Sequence, residues 1–342
     1  MTISELESTT QQLVARGKGI LAADETVPTL TQRLEAVRIS SDENSRRAYR
    51  ELFFTTEGVA EFISGVIMHD ETIRQKSSRG VAFPDVLTQQ GIIPGIKVDA
   101  GAHPLAGSFG ELVTEGLDGL RARLESYRAL GARFAKWRAV IGISETLPTA
   151  TCISVNAHAL ARYAVLCQEQ GIVPIVEPEV LMDGTHTIQR CEQVTGMVLH
   201  AVFDALSDQE VLLEGMLLKP NMVIAGRDCR TKATVQEVAL ATLRCLRRHV
   251  PTAVGGIAFL SGGQDHLAAT DHLNAINQLD GRKPWPLTFS YGRALQDEAL
   301  NAWRGRRENV QDAQWAFFHR AKCDSAAALG RYTVSMEREQ AA

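Results

Sequence analysis

Val211-Leu-Leu-Glu-Gly-Met-Leu-Leu-Lys-Pro-Asn221 is an apolar run that ends in a lysine. The run reads as a buried strand, and Pro220 stops it directly after Lys219. An ammonium is costly to bury, and burial drives a lysine toward its neutral amine. A neutral amine is the form that attacks a carbonyl to make a Schiff base. For one isolated lysine, the plainer reading is a side chain snorkelling from a strand end into water.

Seven further stretches repeat the pattern. Ile20-Leu-Ala-Ala-Asp-Glu25 ends in Asp24, and Phe62-Ile-Ser-Gly-Val-Ile-Met68 is mostly apolar. Ile92-Ile-Pro-Gly-Ile-Lys-Val-Asp99 carries Lys97 and Asp99, and Arg133-Phe-Ala-Lys-Trp-Arg-Ala-Val140 carries Lys136 and Arg138. Ile172-Val-Pro-Ile-Val-Glu-Pro-Glu-Val180 carries Glu177 and Glu179. Ile257-Ala-Phe-Leu-Ser-Gly-Gly263 and Leu287-Thr-Phe-Ser-Tyr-Gly-Arg293 close on small polar turns. Short strands separated by longer helical stretches predict a (β/α)8 TIM barrel, where catalytic groups project from the C-terminal strand ends. Residues two apart on a strand face one way, so Lys136 with Arg138 and Glu177 with Glu179 aim into one central site. An open flavodoxin-like sheet would also run parallel, but with fewer strands and without charges on so many strand ends.

The intervening segments carry helical periods. Leu117, Leu120, Leu124 and Tyr127 form one, and Val235, Val238, Thr242 and Leu246 another. Ser40-x-x-Glu43 reads as a capping box opening the helix after the first strand. Gln90-Gly91-Ile92, Leu130-Gly131-Ala132 and Gln170-Gly171-Ile172 each put a glycine where a helix hands over to a strand, as a left-handed cap requires.

At 342 residues the chain is long for one domain, yet within the range of a barrel with additions. No linker or low-complexity tract divides it, so residues 1–342 are expected to form a single domain. The first 19 residues read as a short N-terminal leader helix. From Ala294 onward, Leu295, Trp303, Ala313 and Phe317 predict a C-terminal helical tail packed outside the barrel. The net charge of −4 offers no basic footprint for nucleic acid. No apolar run is long enough to span a bilayer, and the opening residues lack the signal-peptide pattern. Six cysteines without a framework or a CxxC pair fit a reduced cytoplasmic setting, each as a small buried hydrophobe.

The nine histidines form no HxxxH or HExxH pattern, and His266 and His272 are not spaced as a helical ligand pair. No metal is expected. Neither a Gly-x-Gly-x-x-Gly after a strand nor a Walker lysine occurs, so no nucleotide cofactor is expected either. Gly65, inside the second strand, marks close packing. Anion binding has better support. Ser261-Gly262-Gly263 after the seventh strand resembles a backbone N–H cradle, and Gly292-Arg293 follows the eighth. Barrels commonly bind phosphate on those two loops. Lys97, Lys136, Arg138, Arg33 and Arg293 outnumber Asp24, Glu177 and Glu179, which favours an anionic substrate.

These residues lie in stretches that match one family. Lys18-Gly-Ile-Leu-Ala-Ala-Asp-Glu25, Gly95-Ile-Lys-Val-Asp99, Ala135-Lys-Trp-Arg138, Pro174-Ile-Val-Glu-Pro-Glu179, Glu214-Gly-Met-Leu-Leu-Lys-Pro-Asn-Met222, Phe259-Leu-Ser-Gly-Gly-Gln264 and Phe289-Ser-Tyr-Gly-Arg-Ala-Leu295 stand in the order found in class I fructose-bisphosphate aldolase, the Schiff-base type. The resemblance covers nearly the whole chain. It implies a cytoplasmic homotetrameric barrel of glycolysis and gluconeogenesis, acting on a phosphorylated sugar without metal. It implies that Lys219 forms the Schiff base beside the cationic Lys136, and that Glu177 is the general acid/base, supported by Glu179. Asp24 would orient the C4 hydroxyl and the lysines. Ser261, Gly262, Ser290, Gly292 and Arg293 would hold the C1 phosphate. Lys97, with Arg33, Thr26 and Thr29, would face the C6 phosphate, and Arg138 would also bind the substrate.

The chain departs from the animal pattern in places. Val27, Pro28 and Gln32 stand in the loop facing the distal phosphate, and Ala100 replaces a common lysine. The chain ends Glu-Gln-Ala-Ala rather than in the terminal tyrosine that assists proton exchange in animal enzymes, and Tyr332 is the one tyrosine near the tail. Two alternatives stay open: a related lyase preferring fructose 1-phosphate or sedoheptulose 1,7-bisphosphate, and a non-catalytic scaffold. A scaffold has no reason to keep ionisable groups at buried strand ends.

Overall fold

The computed structural model describes residues 3–338. The strands run in chain order as β1 (Gly19–Ala23), β2 (Ile63–Met68), β3 (Ile93–Lys97), β4 (Gly101–Pro104), β5 (Leu112–Glu115), β6 (Phe134–Ile141), β7 (Val173–Val180), β8 (Leu217–Leu218), β9 (Ile257–Phe259) and β10 (Leu287–Tyr291). Eight of them close a parallel barrel in the order β1–β10–β9–β8–β7–β6–β3–β2, with Ile20 opposite Ser290 at the seam. This is the expected (β/α)8 barrel. The sequence reading did not anticipate β4 and β5, an antiparallel hairpin inserted after β3.

The helices are α1 (Ile3–Leu13), α2 (Val27–Ala36), α3 (Glu43–Phe54), α4 (Asp70–Ile73), α5 (Phe83–Gln89), α6 (Leu120–Ala129), α7 (Ala150–Glu169), α8 (Ile188–Asp208), α9 (Val235–His249), α10 (His266–Gln278), α11 (Arg293–Trp303) and α12 (Val310–Ala328). α1 occupies Ile3–Leu13 of the stretch read as a leader helix, and α11 and α12 follow the last barrel strand.

Alternation along the strands builds two cores. Ile20, Ala22, Ile67, Phe134, Val173, Ile175, Leu217 and Ala258 pack together in the barrel lumen, joined by Leu6, Leu13 and Val14 from α1 and the residue after it. Their neighbours Leu21, Val66, Ala135, Trp137, Val176 and Leu218 turn outward, into the cluster shared with the helices. The lumen is tight around Phe134. A Cβ on Gly65 would stand 2.8 Å from Leu13 and 3.0 Å from Phe134, which is the close packing expected of that glycine. Full burial of one such aromatic stabilises by roughly 1.5–3 kcal/mol.

The three glycine joints form as read. Gly91, Gly131 and Gly171 have φ of 77°, 104° and 67°. At each, the glycine N–H and the next residue's N–H reach back to the last carbonyls of the helix, as with Gly91 to Thr88 and Ile92 to Leu87.

Three local readings need correction. The capping box is formed by Asp42 and Ser45, not Ser40 and Glu43. Asp42 Oδ1 accepts from Ser45 N at 2.8 Å, and Ser45 Oγ accepts from Asp42 N at 2.9 Å. It opens α3, whereas the helix directly after β1 is α2, with Pro28 in its first turn. The run from Val211 is not one strand: Leu213–Gly215 is a tight turn, and pairing is confined to Leu217–Leu218. The Gln168 carboxamide takes both backbone groups of Leu212, donating at 2.8 Å and accepting at 2.9 Å, so no ladder forms there. Leu117 lies before α6 rather than in it.

Candidate active site

The alternation that fills the lumen also aims its polar groups. Asp24 follows Ile20 and Ala22, Lys136 follows Phe134, Glu177 follows Val173 and Ile175, and Lys219 follows Leu217, each at a two-residue step. They meet above the apolar floor. Lys219 Nζ is 3.1 Å from Glu177 Oε1, Lys136 Nζ is 3.2 Å from Glu177 Oε2, and Lys136 Nζ is 2.8 Å from Asp24 Oδ2. The Lys136–Glu177 contact lacks hydrogen-bond alignment and leaves Oε2 without a hydrogen-bond partner among the described residues. These four side chains are between 4 % and 12 % exposed, so their charges interact with little screening.

Burial alone would raise the Asp24 carboxyl, but the Lys136 and Lys219 charges outweigh it and hold the group well below the usual carboxylate range. Burial would likewise lower Lys136, but Asp24 and Glu177 outweigh it and keep this ammonium protonated. Lys136 is therefore a fixed cation, and Glu177 is a carboxylate shared between it and a second amine. Such a set can pass a proton to and from a group bound on Lys219.

A second cluster crowns β3, β6 and β7. Lys97 Nζ pairs with Asp99, and Asp99 Oδ2 accepts from Arg138 N at 3.2 Å. Arg138 Nε donates to Glu179 Oε2 at 2.5 Å. The ion-pair partner of Glu179 is thus Arg138, while Glu177 belongs to the two lysines.

Across the barrel, Gly262 and Gly263 have φ of 60° and 80° in the turn after β9. Gly292 precedes α11 with no side-chain cap, so the first amides of that helix stay open to an anion. The two turns adjoin: a Cβ on Gly263 would lie 3.4 Å from Arg293 Nη2. Ser261 is buried beside them, and the buried Ser290 Oγ has no hydrogen-bond partner among the described residues. The structure therefore brings Ser261, Gly262, Gly292 and Arg293 together.

Arg33 is placed differently from its companions. Thr26 and Thr29 share a hydrogen bond of 3.0 Å at the start of α2. Arg33, further along α2, pairs with Glu25 and Asp297, and donates to Gln296 Oε1 at 2.8 Å and Tyr49 OH at 3.1 Å. The fully buried Arg50 also binds the Glu25 carboxylate, and its Nη2 donates to the Glu25 carbonyl at 3.2 Å. Gln296 Nε2 donates to the Ala22 carbonyl at 2.6 Å. The turn that carries Asp24 is thus gripped on both sides.

The sequence reading missed Arg50, Tyr49 and Gln296, whose relation to β1 is wholly tertiary. It also missed His69. One more two-residue step along β2, from Gly65 through Ile67, would have found it. Its imidazole is kept neutral by burial and by the Lys97 and Arg50 charges. Arg227, whose guanidinium stands 2.9 Å from a Cβ built on Gly263, carried no sequence signal.

A family model described as fructose-bisphosphate aldolase class-I matches residues 5–342. A probable fructose-bisphosphate aldolase class 1 of Xanthomonas axonopodis pv. citri is 56% identical over 333 residues, covering 97% of this chain and 99% of that one. Fructose-bisphosphate aldolase B of Gallus gallus is 52% identical over 338 residues, 98% of this chain and 93% of that one. A solved fructose-bisphosphate aldolase of Plasmodium falciparum, in complex with TRAP and a small molecule inhibitor, superimposes with a TM-score of 0.95 at 49% identity, covering 96% of this chain and 95% of that one.

Proposed function

The chain belongs to the class I fructose-bisphosphate aldolase family, and we propose that its reaction runs through the lumen set of Lys219, Glu177, Lys136 and Asp24. The protein is an enzyme, a lyase that reversibly cleaves fructose 1,6-bisphosphate to dihydroxyacetone phosphate and glyceraldehyde 3-phosphate through a lysine Schiff base. The observation that carries the residue assignment is the Glu177 carboxylate, 3.1 Å from one lysine and 3.2 Å from the other.

In this reading the Lys219 amine attacks the C2 carbonyl. Glu177 delivers the proton that lets water leave the carbinolamine and takes one back on hydrolysis. The protonated imine is the electron sink for C3–C4 cleavage. Lys136 stays protonated beside it, held so by Asp24 and Glu177. Asp24, held ionised by Lys136, receives and orients the C4 hydroxyl. Ser261, Gly262, Ser290, Gly292 and Arg293 form the nearer phosphate site, and Lys97, Arg138, Thr26 and Thr29 face the remainder of the substrate. Two anion sites convert binding energy into alignment of the scissile bond. Glu179 holds Arg138 in place.

The withdrawal of Arg33 into the Glu25 network supports a second reading, a preference for fructose 1-phosphate, because it leaves one cation fewer for a distal phosphate. We take the chain to work as one domain, without metal, as a cytoplasmic homotetramer. Among the described residues, no helix is long and apolar enough to cross a membrane. The test is cleavage of fructose 1,6-bisphosphate, fructose 1-phosphate and sedoheptulose 1,7-bisphosphate, each with and without saturating chelator. The bisphosphate of fructose should be cleaved with the highest kcat/KM, and chelator should leave that rate intact. A rate abolished by chelator and restored by zinc would defeat the lysine mechanism.

A further inference from the structure

Outside the barrel, α12 carries His319 and Cys323 one helical turn apart, so both side chains share a face. The chain after α12 doubles back over that face. Tyr332 N donates to Asn274 Oδ1 on α10 at 3.1 Å, and the returning segment sets Glu337 beside the pair. The ligating atoms of His319, Cys323 and Glu337 all lie within 4.8 Å of one another.

We propose that His319, Cys323 and Glu337 form a binding site for a divalent cation of the zinc class. Thiolate, imidazole and carboxylate together are the donors that zinc selects, and three protein ligands with one further position are a complete set. The Met336 carbonyl oxygen, 2.8 Å from His319 Nε2, is placed to be the fourth donor. Cys323 Sγ is 3.9 Å from His319 Nε2, a separation that small side-chain movements close onto a common ion.

The donors are already held. Trp315 stacks on the His319 ring, with centroids 4.9 Å apart and planes at 7°. Glu337 Oε1 accepts from Tyr332 OH at 2.7 Å and from Arg320. Partners of this kind orient a metal ligand. On binding, the Cys323 thiol proton leaves to solvent, and the His319 Nε2 proton is replaced by one on Nδ1, which frees the Nε2 lone pair. The Arg320 guanidinium opposes the ion, while the thiolate and Glu337 supply two negative charges. The bound ion would clip the returning segment onto α12. The site plays no part in the lumen chemistry, so this inference stands or falls separately from the catalytic assignment.

The test uses the full chain, stripped with chelator and titrated with Co2+ and then Zn2+. One equivalent of Co2+ should raise a near-ultraviolet thiolate-to-cobalt absorption band, and Zn2+ should abolish it. Cys323→Ser and His319→Gln should each lose the band, and Cys229→Ser should keep it. All three variants should cleave fructose 1,6-bisphosphate within about twofold of the unmodified chain, which reports an intact fold. If Cys323→Ser does not fold, His319→Gln decides the matter. No band at one equivalent, or a band that survives either ligand substitution in a folded variant, overturns the site.

Discussion

At the scale of single residues, the site rests on one carboxylate serving two lysines. Glu177→Gln should slow imine formation and release, while Asp24→Asn should mainly slow carbon–carbon cleavage. Each loss should be about 10²–10⁴-fold in single-turnover rates, the usual contribution of a positioned acid or base. A variant within about twofold of the unmodified enzyme would take its residue out of the catalytic set. Asp24 also ties stability to pH. Its folded pKa is depressed by the two lysines, so the unfolded chain binds the proton more readily. Its stabilisation is complete above the ordinary carboxylate range and is lost as pH falls through and below that range. The stability gap between the unmodified chain and Asp24→Asn should therefore be largest above about pH 5 and shrink toward about pH 3. A gap that widens on acidification would contradict the pairing with Lys136. These four residues were legible because period-two alternation sets a charged group where the strand otherwise buries apolar ones. The placement of Arg33 was not legible, since Glu25, Tyr49 and the adjacent Gln296 and Asp297 come from three separate segments and meet it only in the fold.

At the scale of elements, caps and clamps decide where the strand ends point. The helix-to-strand glycines were readable because a left-handed φ leaves a local mark in sequence. Gly131 has φ of 104°, so Gly131→Ala should lower stability by about 1 kcal/mol. Urea unfolding should show a shifted midpoint with unchanged slope, and kcat should stay the same. The capping box was misplaced because Ser40 and Asp42 both suit an N-cap, and only the observed bonds to Ser45 choose between them. Strand β8 was overextended because nothing local to Leu212 reports that Gln168 of α7 takes its backbone groups. The clamp on β1 gives a stricter test. Arg50 is buried and binds both the carboxylate and the carbonyl of Glu25. Arg50→Met should loosen the turn carrying Asp24 and lower kcat at least tenfold with a smaller change in KM, since it touches no substrate. A change confined to KM would show that the clamp serves binding rather than alignment.

At the scale of the whole molecule, the barrel was legible because its repeating strand–helix units each carry their own signal, whereas the β4–β5 hairpin interrupts that repeat. The C-terminal segment shows the same limit. Tyr332 is buried, with its hydroxyl on Glu337, and Glu337 pairs with the fully buried Arg320. A truncation from Glu337 onward would strip the carboxylate from a buried guanidinium and destabilise the fold. Removing only residues 339–342, which lie outside the described part, should change cleavage less than about fivefold, near 1 kcal/mol in barrier. A larger loss would assign those residues a part in turnover. The account as a whole depends on one covalent bond. The chain should be incubated with dihydroxyacetone phosphate, reduced with borohydride, digested and mapped by mass. The account predicts loss of activity and a single adduct on the peptide carrying Lys219. An adduct on Lys136 or any other lysine, or none in a preparation that still turns over, would contradict it.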